Sequence, residues 1–435
     1  MYTAIFILER GFHLSSLTWR KKGFQQFCCR TRNGGGSDKM GDDFKILKPK
    51  PTSPSKTPLH HSQNDTVSTP SVSETDAENP LPELPEELII NEILLRLPVR
   101  SLLQFKCVCK SWNTLISDPQ FAKTHQKAST ANPLLVTSVI HSGKCEIISY
   151  PVKPPLENLS TPVESISIFG TRHEYHIIDS FNGLLCLYDV SQYNFTLWNP
   201  SINLKSETSP TNVLSDYEFM TYHGFGYDHV NDKYKVLVVM RNPAVVDHRE
   251  IVTRIYTFGE NSWRTVPNFP GKSHVWSGKF VSGTLNWLVY KRGCGNSNQR
   301  GILSFDLGKE TFGEVLLPQH DGYDVRNCGL YVLSNCLCVC FDHSNKNHWG
   351  VWMMNQYGVT ESWTKLTIIP RKKLMRHLVD PLFISENGVL ILLNSIYSKF
   401  VRYNLNNGRI GYPKILGKLG REMHIYHESL VSPQW

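Results

Sequence analysis

Short strand hairpins recur along the C-terminal two thirds of the chain, and their spacing constrains the fold more than any other feature. A polar turn followed by an apolar strand begins at Asn182-Gly183, Ser282-Gly283, Ser334-Asn335 and Glu386-Asn387-Gly388. The last two intervals are 52 residues each, and the first, of 100 residues, is divided by the strand-like segment 234–239. A period of about 50 residues is typical of repeat architectures in which each unit buries its apolar faces against its neighbours.

Each repeat continues with a second strand and a polar turn that often ends at an aromatic residue, as at Trp263, Phe312 and Trp363. Hairpins in series at this period match the size of a four-stranded propeller blade of the kelch type. Residues 131–435 have room for about six such blades. We therefore expect an all-β propeller-like domain, and we expect residues 426–431 to pair with the first blade and close the ring.

The segment 84–121 has helical periodicity instead. Pro85, Glu86 and Glu87 favour a helix start, and the apolar residues that follow are spaced by three and four until Pro98. Ser101 and Gln104 have the spacing of a capping box, which predicts that a second helix begins at Ser101. A third helix is predicted from Ser111 to a stop at residues 117–119. The fold class is thus a small three-helix module followed by an all-β domain.

The first 80 residues carry no globular pattern. Residues 1–39 are basic, which is typical of a transit peptide, of an unstructured extension, or of a start assigned upstream of Met40. Residues 49–80 are rich in Pro, Ser and Thr and too poor in apolar residues to form a core. We therefore divide the chain into an extension (1–80), a helical module (81–128) and a β domain (131–435).

Charge and cysteine content narrow the class of protein. The net charge of +8 is not concentrated in a patch outside the first 50 residues, which disfavours a nucleic-acid binder. No apolar run approaches the roughly 18 residues that predict a membrane-spanning helix. Eleven cysteines without a regular framework favour a reducing compartment. We expect a cytoplasmic or nuclear protein, or one found in both.

The sequence contains no strong catalytic or metal-binding motif. His173 and His176 lack the zincin spacing and are interpreted as surface residues. Cys336, Cys338 and Cys340 alternate along a predicted strand, too far apart for direct zinc coordination, and are interpreted as small core residues. We expect no catalytic residue, metal or cofactor. The tryptophans are predicted to pack the blades, although one exposed on a loop would be a candidate binding anchor.

The helical segment resembles an F-box. The resemblance rests on Leu84-Pro85-Glu86-Glu87-Leu88, Glu92-Ile93-Leu94-Leu95-Arg96-Leu97-Pro98 and the run from Ser101 through Cys109-Lys110-Ser111-Trp112. It implies a module that docks on the Skp-family linker subunit and, through it, on the cullin of an SCF ubiquitin ligase. Carried over by position, the docking surface comprises Leu84, Pro85, Leu88, Ile93, Leu94, Pro98, Leu102, Leu103, Val108, Lys110 and Trp112. The match does not fix which of these residues face the partner and which face the module's own core.

The β domain resembles the F-box-associated interaction domain of plant F-box proteins, often described as F-box/kelch-repeat. The segments that carry this resemblance occur in order: Leu197-Trp198-Asn199-Pro200-Ser201, Gly224-Phe225-Gly226-Tyr227-Asp228, Asp232-Lys233-Tyr234-Lys235-Val236, Ser262-Trp263-Arg264, Gly283-Thr284-Leu285-Asn286-Trp287 and Ser304-Phe305-Asp306-Leu307. Residues 131–435 depart from kelch repeats because they contain no Gly-Gly pair. The resemblance implies a domain that selects a target protein.

Together these resemblances imply a non-catalytic adaptor that brings an unidentified target protein to a ubiquitin ligase. Two alternatives stay open at this point. The propeller could be an enzyme or a small-molecule binder with a helical cap, which would require a convergent polar site in its central channel. The F-box could also serve outside a ligase, as a stoichiometric binding partner.

Overall fold

The structure is a computed structural model of the chain. It describes the following residues: 86–129, 132–153, 163–211, 219–241, 251–273, 276–290, 300–319, 328–343, 347–370, 380–394, 399–416, 419–420 and 422–434. The predicted extension (1–80) and the predicted docking residues Leu84 and Pro85 lie outside the described part. Residues 84–435 form one compact unit.

The helical module, residues 86–128, begins with one irregular helical stretch. The stretch comprises α1 (Glu86–Leu88), a π-helical turn (Ile89–Ile93) and a 3-10 turn (Leu94–Arg96), and it ends before Pro98 as predicted. Three regular helices follow: α2 (Val99–Phe105), α3 (Lys110–Ser117) and α4 (Pro119–Ala128).

The three predicted helical segments are present, but one predicted start is wrong. The capping box at Ser101 does not start a helix, because α2 already begins at Val99 and the Ser101 amide donates to the Pro98 carbonyl at 2.9 Å. The third helix stops at Ser117 as predicted, since Asp118 has extended backbone, and a helix that was not predicted follows it. Asp118 caps a further helix, α4, by accepting from the Phe121 amide at 2.9 Å, and Pro119 occupies its first turn.

The remaining described chain is built of short strands in sequence order. They are β1 (Leu134–His141), β2 (Lys144–Pro151), β3 (Val163–Glu164), β4 (Ile166–Thr171), β5 (Tyr175–Phe181), β6 (Leu184–Asp189), β7 (Asn194–Asn199), β8 (Leu204–Lys205), β9 (Phe219–Asp228), β10 (Lys233–Arg241), β11 (Ile251–Thr257), β12 (Trp263–Val266), β13 (Lys272–Ser273), β14 (Lys279–Val281), β15 (Thr284–Tyr290), β16 (Arg300–Asp306), β17 (Thr311–Val315), β18 (Cys328–Leu333), β19 (Cys336–His343), β20 (His348–Met354), β21 (Trp363–Pro370), β22 (Asp380–Ile384), β23 (Val389–Asn394), β24 (Lys399–Asn404), β25 (Ile410–Gly411), β26 (Ile415–Leu416) and β27 (His424–Tyr426).

The described strands form a six-bladed propeller, which confirms the predicted architecture. Blade 1 has the order β27-β1-β2-β4, and blades 2 and 3 are β5-β6-β7-β8 and β9-β10-β11-β12. Blade 4 is built of β13 to β17, and blades 5 and 6 are β18 to β21 and β22 to β25. A short parallel pair, β26 with β3, lies beside them.

The ring is closed by the C-terminal strand. The innermost strands contact one another in the cycle β27, β5, β9, β14, β18, β22 and back to β27. In blade 1 the inner strand comes from the C-terminus, because His424 to Tyr426 pair with β1 of the N-terminal side. Closure is therefore confirmed, but the pairing strand is shorter and earlier than the predicted segment 426–431.

The predicted turns join the first and second strands of their blades. At Asn182-Gly183, Ser282-Gly283 and Ser334-Asn335 both central residues have positive φ, the conformation of two-residue hairpin turns whose twist matches the strands. The segment 234–239 that divides the long interval lies in β10, the second strand of blade 3. The 50-residue period is thus the blade.

The apolar core of the propeller is divided into six clusters, one at each interface between adjacent blades. The cluster between blades 3 and 4 is typical, because it combines Leu237 and Ile255 with Leu285, Trp287 and Phe305. Strands are buried on both faces, so they lack a simple alternation of apolar and polar residues. No helix in the described part of the chain is long and apolar enough to cross a membrane.

Candidate functional site

The predicted docking surface on the helical module divides into exposed and buried residues. Leu88 is 48% exposed and Val108 is 38% exposed, and both are large apolar side chains at the surface. Pro98 and Lys110 are also exposed, and Ile93 and Leu103 are half-buried. The side chains of these six residues are accessible to a partner protein.

Leu94, Leu102 and Trp112 are buried in the core of the module, where they pack in one cluster with Ile116 and Phe121. In this structure they cannot form a contact surface. Their burial assigns these three residues to the module's own core, where they hold the helices that carry the exposed residues, a division that the resemblance leaves open.

The core of the helical module is completed by two residues of the β domain. Leu430, from the segment after β27, is buried in the same cluster, and Ile202, from the turn between β7 and β8, packs against it. A module of this size has difficulty covering its own apolar surface. The propeller covers part of this apolar surface, whereas Leu88 and Val108 remain exposed.

Asn199 anchors the C-terminal segment that carries Leu430. Its Nδ2 donates to the carbonyls of Ser429 at 3.0 Å and Val431 at 2.8 Å, and its Oδ1 accepts from the Tyr426 hydroxyl at 3.2 Å. The Asn199 side chain is fully buried. One amide therefore fixes both the closing strand and the segment beyond it.

Gly183 allows the same segment to lie close to blade 2. The glycine has φ +74°, and a Cβ at this position would come within 2.2 Å of the Ser429 hydroxyl oxygen. The Ser429 hydroxyl also donates to the Asn182 carbonyl at 2.9 Å. Position 183 consequently requires glycine both for the turn and for the contact.

An ion pair connects the module with blade 3. Lys123 of α4 lies 2.7 Å from a carboxylate oxygen of Asp232, in the turn between β9 and β10. This turn and the Asn182-Gly183 turn both join first to second strands, and such turns lie at one end of the ring because the strand order is the same in every blade. We call this end the module face and the opposite end the open face.

The open face carries exposed apolar residues of its own. Trp276 is 69% exposed and immediately precedes the inner part of blade 4, and Tyr193 and Ile140 lie exposed beside second-to-third strand turns. Three tryptophans of the propeller pack the blades as predicted, since Trp198, Trp287 and Trp349 are fully buried. Among the described tryptophans, Trp276 is the exposed one and is therefore the candidate binding anchor.

The histidine and cysteine motifs of the β domain agree with their interpretation as surface and core residues. His173 and His176 are exposed and contact the carboxylates of Asp189 and Glu174. Cys338 and Cys340 are buried between blades 5 and 6, and Cys336 is half-buried. Burial raises the pKa of the Cys338 and Cys340 thiols, as expected for core residues and not for metal-binding thiolates.

The residues that join the two parts of the chain were not predicted. In the sequence, Asn199 belongs only to the motif Leu197-Trp198-Asn199-Pro200-Ser201, and no pattern assigns Leu430 or Ile202 to the module's core. Asn199 and its partner Ser429 are 230 residues apart, so no local pattern indicates the contact. The available signal was that the predicted closing segment, 426–431, ends with the apolar residues Leu430 and Val431.

Comparisons with known proteins agree with this organisation. The family model described as "F-box associated beta propeller domain" matches residues 139–430, and the model described as "F-box domain" matches residues 81–124. An F-box/kelch-repeat protein of Arabidopsis thaliana is 36% identical over 375 residues, which is 80% of this chain and 96% of that protein. The Arabidopsis F-box protein CPR1 is 24% identical over 75% of this chain and 83% of its own length.

Proposed function

The chain belongs to the F-box proteins that carry an F-box-associated beta propeller domain, and on that premise we propose that it is the substrate-recognition adaptor of an SCF-type ubiquitin ligase. Its F-box binds the Skp-family linker subunit and, through it, the cullin. Its propeller binds the target protein. The chain catalyses nothing itself and acts in the cytoplasm, the nucleus or both.

The observation that supports this proposal most directly is the one-sided burial of the helical module. One side is sealed by Leu430 and Ile202 of the β domain, whereas Leu88 and Val108 on the module remain exposed. Exposed apolar residues grouped with half-buried ones mark a protein interaction surface. Lys110 adds a charge beside them that can set the register of a partner.

The packing of the module on the propeller supports the adaptor mechanism. Transfer of ubiquitin to a target requires that the target's lysines be held near the charged enzyme on the same scaffold, which raises their effective concentration. A tether between F-box and propeller would allow many orientations. The buried Leu430 and the bonds of Asn199 restrict them instead.

The decisive experiment is co-purification of the full-length chain with a Skp-family subunit. We expect the wild type to bind, and we expect Leu88→Asp and Val108→Asp to reduce binding by at least about tenfold because a charge replaces an apolar contact. Both side chains are exposed, so stability should change by less than about 0.5 kcal/mol. The matched control is Val230→Asp, which places the same charge on an 82% exposed valine of the propeller.

The double variant Leu84→Ala with Pro85→Ala tests the part of the predicted surface that lies outside the described residues. Loss of binding in this variant would extend the docking surface to the start of the module. Failure of the folded wild type to bind a Skp-family subunit would overturn the proposal. Equal binding by the wild type and the two aspartate variants would place the docking surface elsewhere.

We propose that the target binds the open face. The F-box occupies the module face through Lys123, Leu430 and Ile202, so the opposite end is free for a second protein. Trp276 supplies a large amphipathic anchor there. In affinity capture, a target should be lost with Trp276→Ala and retained with Val230→Ala. The opposite pattern would place the target on the module face.

A further inference from the structure

Four inner strands of the propeller place a polar residue at one level of the central channel. In blades 1, 2, 4 and 5, this residue is opposite the third residue of the neighbouring strand. The pairs are His424 with Val136, Asp179 with Cys186, Lys279 with Asn286 and Tyr331 with Cys338. Equal register in equivalent strands gives an equal height along the axis, so these four residues form a ring.

Hydrogen bonds join polar groups on the inner strands of neighbouring blades. Asp179 Oδ1 accepts from His424 Nδ1 at 3.2 Å, and the Tyr331 hydroxyl donates to Asp380 Oδ1 at 2.7 Å. Burial alone would raise the pKa of Asp179, but the hydrogen bond from His424 and the charges of His424 and Lys279 hold it below its usual value.

Lys279 acts on residues of more than one blade. Burial raises the pKa of Asp380, and the hydrogen bond from Tyr331 and the positive charge of Lys279 oppose this rise. Lys279 belongs to blade 4, whereas Asp179 and Asp380 belong to blades 2 and 6. Neither of those blades is a neighbour of blade 4 in the closed ring, which is consistent with a lysine that faces the central channel. No ion pair joins Lys279 to another residue in the described part of the chain.

Three buried polar atoms beside this ring have no hydrogen-bond partner among the described residues. They are His223 Nε2, His424 Nε2 and Ser277 Oγ, and each of these residues is only 8% exposed. Buried polar atoms in proteins are nearly always paired. Nδ1 of His424 faces the Asp179 carboxylate, so its Nε2 is the ring atom left for a hydrogen bond to another group. The channel therefore offers unused hydrogen-bonding capacity.

The charges of the channel are separated. Asp179 and Asp380 lie on the two blades that flank blade 1, and Lys279 lies on blade 4, directly opposite blade 1 in the closed ring. The wall is consequently anionic on one side and cationic on the other. The described residues contain no group of His, Cys, Asp or Glu with the arrangement of a metal site. A ligand that matches this wall carries both charges.

We propose that the central channel binds a small zwitterion, a free α-amino acid, with its carboxylate at Lys279 and its ammonium group at Asp179. The unpaired atoms of His223, Ser277 and His424 supply the remaining hydrogen bonds. This site is additional to the adaptor function and does not require a Skp-family subunit. A failure of Skp binding and a failure of amino-acid binding are therefore distinguishable.

The test is thermal melting of the full-length chain with each of the proteinogenic α-amino acids at about 10 mM, since a ligand that binds the folded state raises the midpoint. Acetate and methylamine at the same concentration supply the two charges separately. We expect at least one amino acid to raise the midpoint while both half-ligands do not. Amino acids released by heating the purified protein are identified by mass spectrometry, which detects a ligand that was already bound.

Variants of the channel residues test which side chains bind the amino acid. Lys279→Met should weaken binding, measured by calorimetry, by about thirtyfold or more, because the carboxylate of the amino acid loses its cationic partner. Asp179→Asn keeps the shape of its side chain and should also weaken binding. Lys309→Met removes a lysine that is 80% exposed and is the matched control.

Three outcomes would overturn this proposal. The first is that no amino acid raises the midpoint of the wild type and none is released on heating, in which case the unpaired atoms hold water only. The second is an effect of acetate or methylamine equal to that of any amino acid. The third is unchanged binding by Lys279→Met.

Discussion

The helical module and the propeller use opposite solutions to cover their apolar surface. Each propeller blade buries both faces against its neighbours, and closure by β27 leaves no terminal blade uncovered. The helical module has one apolar cluster, which Leu430 and Ile202 of the β domain complete, and Leu88 remains exposed. The ring is stable through its own interfaces, whereas the module is suited to an interface with another protein.

The largest effect is expected from breaking an interface within the ring. Lys235 of blade 3 is buried and lies 2.8 Å from Asp228 and 2.9 Å from Glu310 of blade 4. Lys235→Met leaves the buried Asp228 carboxylate without its cation and should lower the free energy of unfolding by about 3–5 kcal/mol. Denaturant unfolding measures this loss.

The control for Lys235 is Lys309→Met, which breaks a surface contact of 3.9 Å with Asp306 and should leave the free energy of unfolding nearly unchanged. Equal stability of the two methionine variants would show that Lys235, through its contacts with Asp228 and Glu310, does not hold blades 3 and 4 together. The comparison between ring and module would then lose its strongest physical basis.

A second effect concerns the pH dependence of the ring. Burial lowers the pKa of His223 to about 4, below the roughly 6.5 of an unfolded histidine. As pH falls from about 6.5 to 4, His223 becomes protonated in the unfolded chain but stays neutral in the folded chain. The free energy of unfolding therefore decreases. The loss from His223 should reach about 3 kcal/mol.

Other groups around His223 also titrate or carry charge, namely Glu422, Lys279, His424 and Asp179. The difference between the wild type and His223→Gln isolates the histidine, because those groups are common to both proteins. We expect denaturant unfolding to show a shallower loss of stability in the glutamine variant between pH 6.5 and 4. Parallel pH profiles would contradict the assignment to His223.

A third, smaller effect should appear at the junction of the two parts. Asn199→Ala removes the bonds to the Ser429 and Val431 carbonyls and should destabilise the chain by about 1–3 kcal/mol. Because these bonds position Leu430, faster hydrogen exchange should appear in residues 86–128 before the remote blades are affected.

The matched control for Asn199 is Asn404→Ala, at a residue whose side chain caps the exposed turn after β24. It should leave exchange in the helical module unchanged. Identical exchange in the module for both variants would show that the C-terminal segment does not fix the module.

The smallest effect is expected at the surface of the same junction. Lys123 and Asp232 form an ion pair whose members are 39% and 62% exposed. Lys123→Ala should cost about 0.2–1 kcal/mol and less at high salt. A double-mutant cycle with Asp232→Ala measures the coupling. A coupling larger than the loss of stability caused by Lys235→Met would reverse the proposed order of contributions.

The blades could be predicted from the sequence because their signals are local. The turn residues, the apolar runs and the 50-residue interval all lie within one blade, and the six-bladed count follows from them. The start of α2 and the existence of α4 were missed for a related reason. Ser101 and Asp118 each fit more than one role, and only the observed backbone bonds decide between them.

The sequence predicted the residues of the docking surface as one set and did not separate the exposed members from the buried ones. The resemblance named Leu94, Leu102 and Trp112 together with Leu88 and Val108, and helical spacing does not tell which side of a small module another domain covers. The structure separates them because Leu430 and Ile202 pack on one side. Exposure of a residue depends on neighbours that are distant in sequence.

By itself the sequence determined the propeller, the helical module and their order, because period, turn chemistry and helix signals are properties of short segments. Only the tertiary structure decided which module residues are exposed, how the C-terminal segment holds the module, and that polar residues of several blades meet in one channel. Asp179 and His424 are 245 positions apart. Ring closure brings them together, and no local pattern records the geometry of a closed ring.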